Sequence, residues 1–381
     1  MAKDRPSSDG QSSESERVRL IVLFGGQSAE HDVSCTTAAH VLAAVDRSRY
    51  DLDAVAITRD GSLVRAEAAM AALAEGTDAL PPALDAAGPT TDLTSLVATG
   101  SSPTQPSART VVLPLMHGPL GEDGTVQGML ELADVAYAGA GVLGSAVTMD
   151  KAMAKTVLAA NGVPQTEWLA FQEHEILADV ELVVKRVVAQ LDLPVFVKPA
   201  NMGSSVGVSR ASTKGELVDA LAAALRYDEL VVVEEAVNAR EIELSVLGNI
   251  ELEVSVPGEI VPAADFYDYE DKYLDGSAQL IIPAELPAGV AEQMEELAIA
   301  AYRALRVEGM ARADFLFEED GRGPLLNELN TIPGFTPISM YPKLWEASGL
   351  GYSELIDRLV DLAVERHTRR STKRTTDRAA R

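Results

Sequence analysis

The chain has 381 residues, 47% of them hydrophobic and 24% charged, with a formal net charge of −26. That length suits two or three domains with real cores, and the acidic balance argues against nonspecific nucleic-acid binding and against an anionic membrane surface, while leaving local phosphate binding open. A single cysteine, Cys35, rules out an internal disulfide and fits a reducing compartment, and no apolar run reaches the roughly 18 residues that a membrane helix needs.

Met1 to Arg17 is polar, lacks the apolar core of a signal peptide, and is expected to be a disordered lead-in. Leu20 to Phe24 is a continuous apolar run, as in a buried parallel strand. Gly25-Gly26 ends it, Gln27 to Ser34 makes a polar loop, and a helix follows through Ala38 to Leu42. This order puts Glu30 at the C-terminal edge of a sheet, where open α/β folds bind ligands. Asp53 to Thr58 is the next expected strand, and Gly76 to Ala108, rich in Ala, Pro, Thr, Ser and Gly, reads as an inserted surface excursion. Val111 to Met116 is another strand, ending in the polar, glycine-rich loop His117 to Gly124, and Thr125 opens a helix. His117 on its own reads as a structural histidine, and five histidines without paired ligand spacing argue against zinc.

Gly139-Ala140-Gly141-Val142-Leu143-Gly144 matches the dinucleotide fingerprint G-x-G-x-x-G, with Glu167 near the distance expected of its acid. Twenty-eight glycines make accidental matches easy, however, and the segment does not open a first sheet. Lys151 to Ala160 is a helix, stopped at Asn161-Gly162-Val163-Pro164. Pro194 to Pro199 is a short strand carrying Lys198 near its end. Ala200 to Val208 then supplies small residues and hydroxyls, either as a loop whose N–H groups wrap phosphates or as a plain hairpin turn. A helix over Glu216–Leu225, a buried strand over Leu230–Val237 and an alternating strand over Glu241–Gly248 follow. Asp265 to Tyr273 is aromatic, charged and aperiodic, as a loop over a site would be, whereas Val290, Met294, Leu297, Ala301 and Leu305 mark the buried face of a helix.

Gly309 to Phe317 and Leu325 to Asn330 read as two strands joined by the turn formers between Glu318 and Pro324. Arg312 and Asp314 point to one face of the first strand, and Glu328 and Asn330 to one face of the second. A register that joins those faces would gather three oxygen ligands suited to Mg²⁺ beside an arginine suited to the charge of phosphoryl transfer. The plain alternative is the polar face of an edge hairpin. Asn330 to Thr336 adds a Pro-Gly turn that aims the Gly334 N–H back toward the strand end. Arg366 to Arg381 carries a net +6 and is expected to be a disordered basic tail.

Seven motifs then stand in order: Gly25-Gly26-x-Ser28-x-Glu30-His31-x-Val33-Ser34; His117-Gly118-x-x-Gly121-Glu122-Asp123-Gly124-x-x-Gln127-Gly128; Met149-Asp150-Lys151; Lys198-Pro199 with Gly203-Ser204-Ser205-x-Gly207; Tyr267-Asp268-Tyr269-x-x-Lys272-Tyr273; Arg312-x-Asp314; and Asn327-Glu328-x-Asn330-Thr331-x-Pro333-Gly334. Together they resemble the D-alanine–D-alanine ligases of the ATP-grasp superfamily. The resemblance implies an α/β (α+β) three-domain ATP-grasp fold: an open parallel N-terminal α/β domain over 18–144, with an insertion about 76–108, a central lid domain over 145–237 and a C-terminal domain over 238–365. It implies a reaction in which one D-alanine carboxylate takes the γ-phosphate of ATP and the amine of a second D-alanine attacks the acyl phosphate, for peptidoglycan synthesis.

Carried over residue by residue, the resemblance has Asp314, Glu328 and Asn330 hold two Mg²⁺ or Mn²⁺ ions. Lys151 and Lys198 contact the ATP phosphates beneath the loop of Gly203, Ser204, Ser205, Val206 and Gly207. Glu234, Glu235, Ala236 and Val237 border the adenine, with Glu235 standing where some ligases carry lysine, and Glu241 contacts the ribose. Arg312 and the Gly334 N–H stabilise the oxyanion. Glu30 takes the first D-alanine's ammonium, Lys272 and Ser339 take the second's carboxylate, and His117 and Met340 also border the substrate. Glu30, Ser204 and Tyr273 form a hydrogen-bonded set joining three domains. The implied setting is a cytoplasmic homodimer acting on ATP and D-alanine, with no nucleic acid and no membrane. The rivals are a D-alanine–D-lactate or D-serine ligase of the same fold, a silent ATP-binding regulator, and a redox enzyme built on Gly139–Gly144. Tyr267, Tyr269 and Tyr273, with no histidine between His174 and His367, favour D-alanine over D-lactate.

Overall fold

The computed structural model describes residues 17–92, 110–261 and 279–373, which form three sheets. The first contains β1 (Val18–Gly25), β2 (Tyr50–Ile57), β3 (Leu63–Arg65), β4 (Thr110–Pro114) and β5 (Ala136–Tyr137), in the order β3-β2-β1-β4-β5. β1 pairs parallel with β2 and β4, and only β3 runs antiparallel to its neighbour. Helices α1 (His31–Ala44), α2 (Glu67–Glu75) and α3 (Thr125–Leu132) accompany it. The continuous apolar run of β1 is explained by burial on both faces. Leu20, Val22 and Phe24 pack with Ala38, Val41 and Leu42 of α1, while Ile21 and Leu23 pack with Val126 and Leu130 of α3.

Part of the segment expected to be a surface excursion is built into this unit. Leu84 is buried in the core, its N–H donates to the Cys35 carbonyl at 3.1 Å, and Thr90 bridges Val64 of β3. Leu80 and Ala86 pack on the same core, and Pro89 and Thr91 hydrogen-bond with Arg65 and Leu63 of β3; residues 93–109 lie outside the described residues.

Helices α4 (Val142–Met149) and α5 (Lys151–Ala160) lead to the second sheet. That sheet is antiparallel, with β6 (Trp168–Gln172), β7 (Val195–Pro199), β8 (Ser209–Ala211) and β9 (Leu230–Glu235) in the order β6-β9-β7-β8. Helices α6 (Glu173–Ala178), α7 (Val180–Gln190) and α8 (Lys214–Ala224) cover it, Val183, Val187, Leu217 and Leu221 packing on Val195, Val197, Val231 and Val233.

The third sheet is also antiparallel, with β10 (Arg240–Gly248), β11 (Leu252–Val254), β12 (Gly258–Val261), β13 (Gln279–Ile281), β14 (Gly309–Glu318) and β15 (Gly323–Asn330). Its order is β13-β12-β10-β14-β15, with β11 on β10. Helix α9 (Val290–Ala304) lays Met294, Ala298 and Ala301 on one face, beside Ala154 and Leu158 of α5. The other face, formed by alternate residues of β10, β14 and β15, lines a cleft.

The last helices, α10 (Met340–Ala347) and α11 (Tyr352–Ser371), return to the first sheet, where Leu355, Ile356, Leu359 and Val360 share a core with Leu20 and Leu113. The basic stretch from Arg366 is therefore not a tail at its start. Arg366 is 3% exposed and its guanidinium donates to the carbonyls of Gly139 and Tyr137, lying 4.1 Å from the Tyr137 ring centre. Arg369 pairs with Glu308, and Arg370 pairs with Glu131 at 2.7 Å. These cations have partners in the folded chain, which composition alone cannot reveal; residues 374–381 lie outside the described residues.

The G-x-G-x-x-G spacing also has a packing explanation. A Cβ on Gly309 would stand 2.8 Å from the Gly139 Cα, and a Cβ on Gly144 would stand 2.7 Å from the Arg306 carbonyl oxygen. The glycines let the turn after β5 and helix α4 approach β14 and its lead-in, a packing role that needs no dinucleotide.

Candidate active site

The hairpin of β14 and β15 forms the floor of the cleft. Asp314 faces Glu328 across the ladder and Arg312 faces Asn330, as the sequence expectation required. A β-bulge makes this possible. Phe315 pairs with Leu326 and Asp314 with Glu328, so Asn327 is the extra residue. Leu326 and Leu329 thereby both enter the core, while Glu328 and Asn330 both line the cleft. On a regular strand residues three apart face opposite sides.

Arg312 Nε and Nη2 donate to the two oxygens of Asp314, each at 2.7 Å, and Asn330 Nδ2 donates to Asp314 Oδ2 at 2.8 Å. Glu243 on β10, opposite Asp314, brings Oε2 to 3.0 Å from Arg312 Nε. Glu243 is a site residue that the motif reading did not single out. The signal was present, since it alternates with Glu241, which also lines the cleft. Burial works against the Arg312 charge, but Asp314 and Glu243 more than offset it and raise its pKa well above the ordinary value. The donor set of two carboxylates and one amide oxygen on one cleft face fits a hard divalent cation, and Arg312 now holds the negative charge such an ion would neutralise.

The facing wall carries the two expected lysines. Asp150 caps α5 by accepting the Met153 N–H at 2.9 Å, which places Lys151 in the first turn at the cleft. Lys151 Nζ donates to the Met202 carbonyl at 2.5 Å, and its N–H to that of Ala200 at 2.9 Å. Lys198 projects from β7 and lines the cleft, with Nζ 3.1 Å from Glu234 Oε2. Between them the loop Gly203 to Gly207 folds over. Ser204 and Ser205 have φ of +46° and +58°, a left-handed conformation uncommon for residues with side chains, and the Ser204 hydroxyl donates to Glu30. Glu234 is turned inward and buried. Glu235 accepts from Arg322 Nη1 and from the Glu167 N–H, both at 2.7 Å. Neither carboxylate lines the cleft, and Ala236 and Val237 at this strand end are half-buried.

The third wall comes from the first sheet. Glu30, 6% exposed, sits against Gly118 and Gly203; a Cβ on either glycine would come within 3.0 Å of its Oε2. Glu122 accepts the Gly118 N–H at 2.7 Å and the Ile332 N–H at 3.3 Å. Burial, with the Glu30 charge adding to it, pushes the Glu122 carboxyl up to about 8. His117 is held at 3.0 Å from the Ile332 carbonyl, so Nδ1 carries the proton that it donates. Burial lowers its pKa and keeps the ring neutral, with Nε2 free of hydrogen-bond partners among the described residues. His117 is thus tied to the main chain of Ile332 through one nitrogen, while the other is buried.

Ser339 lies next to Gly334, its Oγ accepting the Thr336 N–H at 3.2 Å. Met340 follows Ser339 as the first residue of α10 and keeps its side chain out of the cleft. It is 5% exposed and packs on Ile260 and Leu344, because the first residue of α10 turns toward that small core. Lys272 and Tyr273 lie outside the described residues.

The D-ala D-ala ligase N-terminus model matches residues 19–140, and the D-ala D-ala ligase C-terminus model matches residues 157–361. The D-alanine–D-alanine ligase of Acetivibrio thermocellus is 42% identical over 358 residues, covering 91% of this chain and 95% of that protein. Among solved structures, the D-alanine–D-alanine ligase of Coxiella burnetii superposes with a TM-score of 0.76 at 35% identity, over 94% of this chain and 97% of that one. The VanG D-Ala:D-Ser ligase of Enterococcus faecalis also superposes at 0.76, with 32% identity over 91% and 99%. With both halves matched, relatives aligned nearly end to end, and lysines, acids and arginine gathered around one cleft, the chain belongs to the D-alanine–D-alanine ligase family.

Proposed function

We propose that this protein joins two D-alanine molecules into D-alanyl-D-alanine for cell-wall synthesis, with ATP as cosubstrate and ADP and phosphate as products. The observation that carries the reading is the cross-strand set of Arg312, Asp314, Glu328 and Asn330 on a cleft floor facing Lys151 and Lys198. The nucleotide lies between the second and third sheets, its phosphates toward the two lysines and the Gly203–Gly207 loop and its ribose toward Glu241. Asp314, Glu328 and Asn330 would hold two Mg²⁺ or Mn²⁺ ions, which when bound neutralise phosphate charge and polarise the transferred group.

Glu30 receives the ammonium of the first D-alanine and orients its carboxylate toward the γ-phosphate. Transfer gives D-alanyl phosphate and ADP. The second D-alanine, held through its carboxylate by Ser339 and Lys272, attacks the acyl carbon with its deprotonated amine. Arg312 and the Gly334 N–H stabilise the resulting oxyanion, and phosphate leaves. Holding both amino acids at one centre makes the second step effectively intramolecular. The setting proposed with this activity is a cytoplasmic homodimer of an N-terminal α/β domain, a central lid and a C-terminal domain.

The test is phosphate release from ATP and Mg²⁺ with D-alanine, L-alanine, D-serine or D-lactate as acceptor, products separated by chromatography. D-alanyl-D-alanine as the main product at neutral pH is expected. Release that ignores added amino acid, or a depsipeptide as main product, would overturn the reading.

A further inference from the structure

Lys155 stands behind the cleft, one turn of α5 after Lys151. It is 2% exposed, its Nζ donates to Thr166 Oγ1 at 3.2 Å, and it lies 3.4 Å from Glu234 Oε2. The same carboxylate oxygen is 3.1 Å from Lys198 Nζ and accepts the Thr166 hydroxyl proton at 3.1 Å. The side chains of Lys155 and Glu234 are each 3% exposed and that of Lys198 is 15% exposed, so Lys198 is the member of the group that reaches the cleft.

The charges decide what this arrangement does. Two ammonium groups share one carboxylate, which leaves the group at +1; burial lowers the Lys155 pKa, and the Glu234 charge works against that shift to hold its proton. Burial alone would raise the Glu234 pKa, but Lys155 and Lys198 bring it down to about 2, so the carboxylate is ionised at neutral pH. Water does not reach Lys155 or Glu234 to screen them, and charges in such surroundings act strongly on each other. Without the Lys155 charge, Glu234 would cancel the charge of Lys198, which it already holds at 3.1 Å.

We propose that Lys155 is a positioning residue for nucleotide binding: by balancing the Glu234 charge from behind, it leaves the group with a net positive charge that Lys198 presents to the phosphates. The proposal rests on reading the cleft as the nucleotide site. A merely structural role would make Lys155 matter equally for every ligand of the cleft. The charge role makes it matter for phosphates and makes its loss reversible by removing Glu234's charge as well.

The test is calorimetric titration of the full-length protein with ADP and Mg²⁺, and separately with adenosine, which carries no phosphate. Lys155→Met is expected to weaken ADP about tenfold while changing adenosine affinity less than about twofold. Lys155→Met/Glu234→Gln leaves Lys198 as the one charge of this group, again +1, and is expected to bind ADP within about threefold of the parent protein. Unchanged ADP affinity in Lys155→Met, equal losses for ADP and adenosine, or no recovery in the double variant would each overturn the proposal. If Lys155→Met does not fold, the double variant carries the test, because it buries no lone carboxylate; an ADP affinity about tenfold below the parent's would then be the refuting result. Lys198→Met separates the two readings, since parent-like ADP binding there would remove the nucleotide assignment itself.

Discussion

Replacing Arg366 with leucine should destabilise the protein by about 3–5 kcal/mol, the usual result of removing one partner from a buried charged contact. The guanidinium donates to two main-chain carbonyls, Gly139 and Tyr137, and hydrogen bonds from a charged donor contribute about 1.5–3 kcal/mol each. Its position 4.1 Å from the Tyr137 ring centre adds about 2 kcal/mol for a desolvated cation on an aromatic face. Against this, burial lowers the Arg366 pKa, so removing the charge recovers part of a desolvation cost. Leucine fills some of the volume but leaves both carbonyls without this donor. Urea unfolding followed by tryptophan fluorescence measures the effect, because Trp345 lies in the same core as Leu355 and Ile356 of α11. Lysine at this position should fall between, since a point charge cannot serve two carbonyls and lie flat on the ring. A leucine variant within about 0.5 kcal/mol of the parent, as for an ordinary surface change, would refute the reasoning.

Glu328→Gln should fold normally by circular dichroism yet retain less than about 1% of ligase turnover, because a neutral amide facing Asp314 cannot balance two divalent ions; near-normal turnover would remove the metal assignment. Ser204→Ala should lower kcat/KM for D-alanine about tenfold, since it deletes a hydrogen bond to the Glu30 carboxylate; an unchanged value would show that the loop does not position Glu30. The Glu122 carboxyl, raised from an ordinary 4.5 to about 8, keeps its proton in the folded protein over a window in which the unfolded chain has lost it. Its contribution to stability is therefore full below about pH 4.5 and fades as pH rises toward 8. The parent Tm should fall more steeply across that window than the Tm of Glu122→Gln, and parallel curves would contradict the assignment.

The polar face of the hairpin was legible because strand alternation is local: Arg312 and Asp314 are two apart, and so are Glu328 and Asn330. The bulge that lets Glu328 share its face with Asp314 was written in Leu326 and Leu329, three apart yet both apolar, but a spacing rule that assumes a regular strand passes over it. Glu243 was harder to see because its importance depends on β14, some seventy residues later, lying beside β10. Arg366 depends on carbonyls at Tyr137 and Gly139, and carbonyls leave no mark in a sequence. Met340 packs its side chain with Ile260 and Leu344, a contact between elements some eighty residues apart that no local pattern encodes.

Ile332 is gripped on both sides of its backbone by the loop that follows β4, its carbonyl by His117 and its N–H by Glu122. Two residues later comes Gly334. The loop that places Gly118 against Glu30 and the turn that carries Gly334 are therefore gauged against each other directly, although more than two hundred positions separate them. Recombining halves of related ligases would leave such a gauge mismatched unless both pieces came from one parent. Chimeras that exchange 117–122 together with 331–334 should keep their catalytic spacing, while those that split the pair should lose it even when every reactive side chain is present.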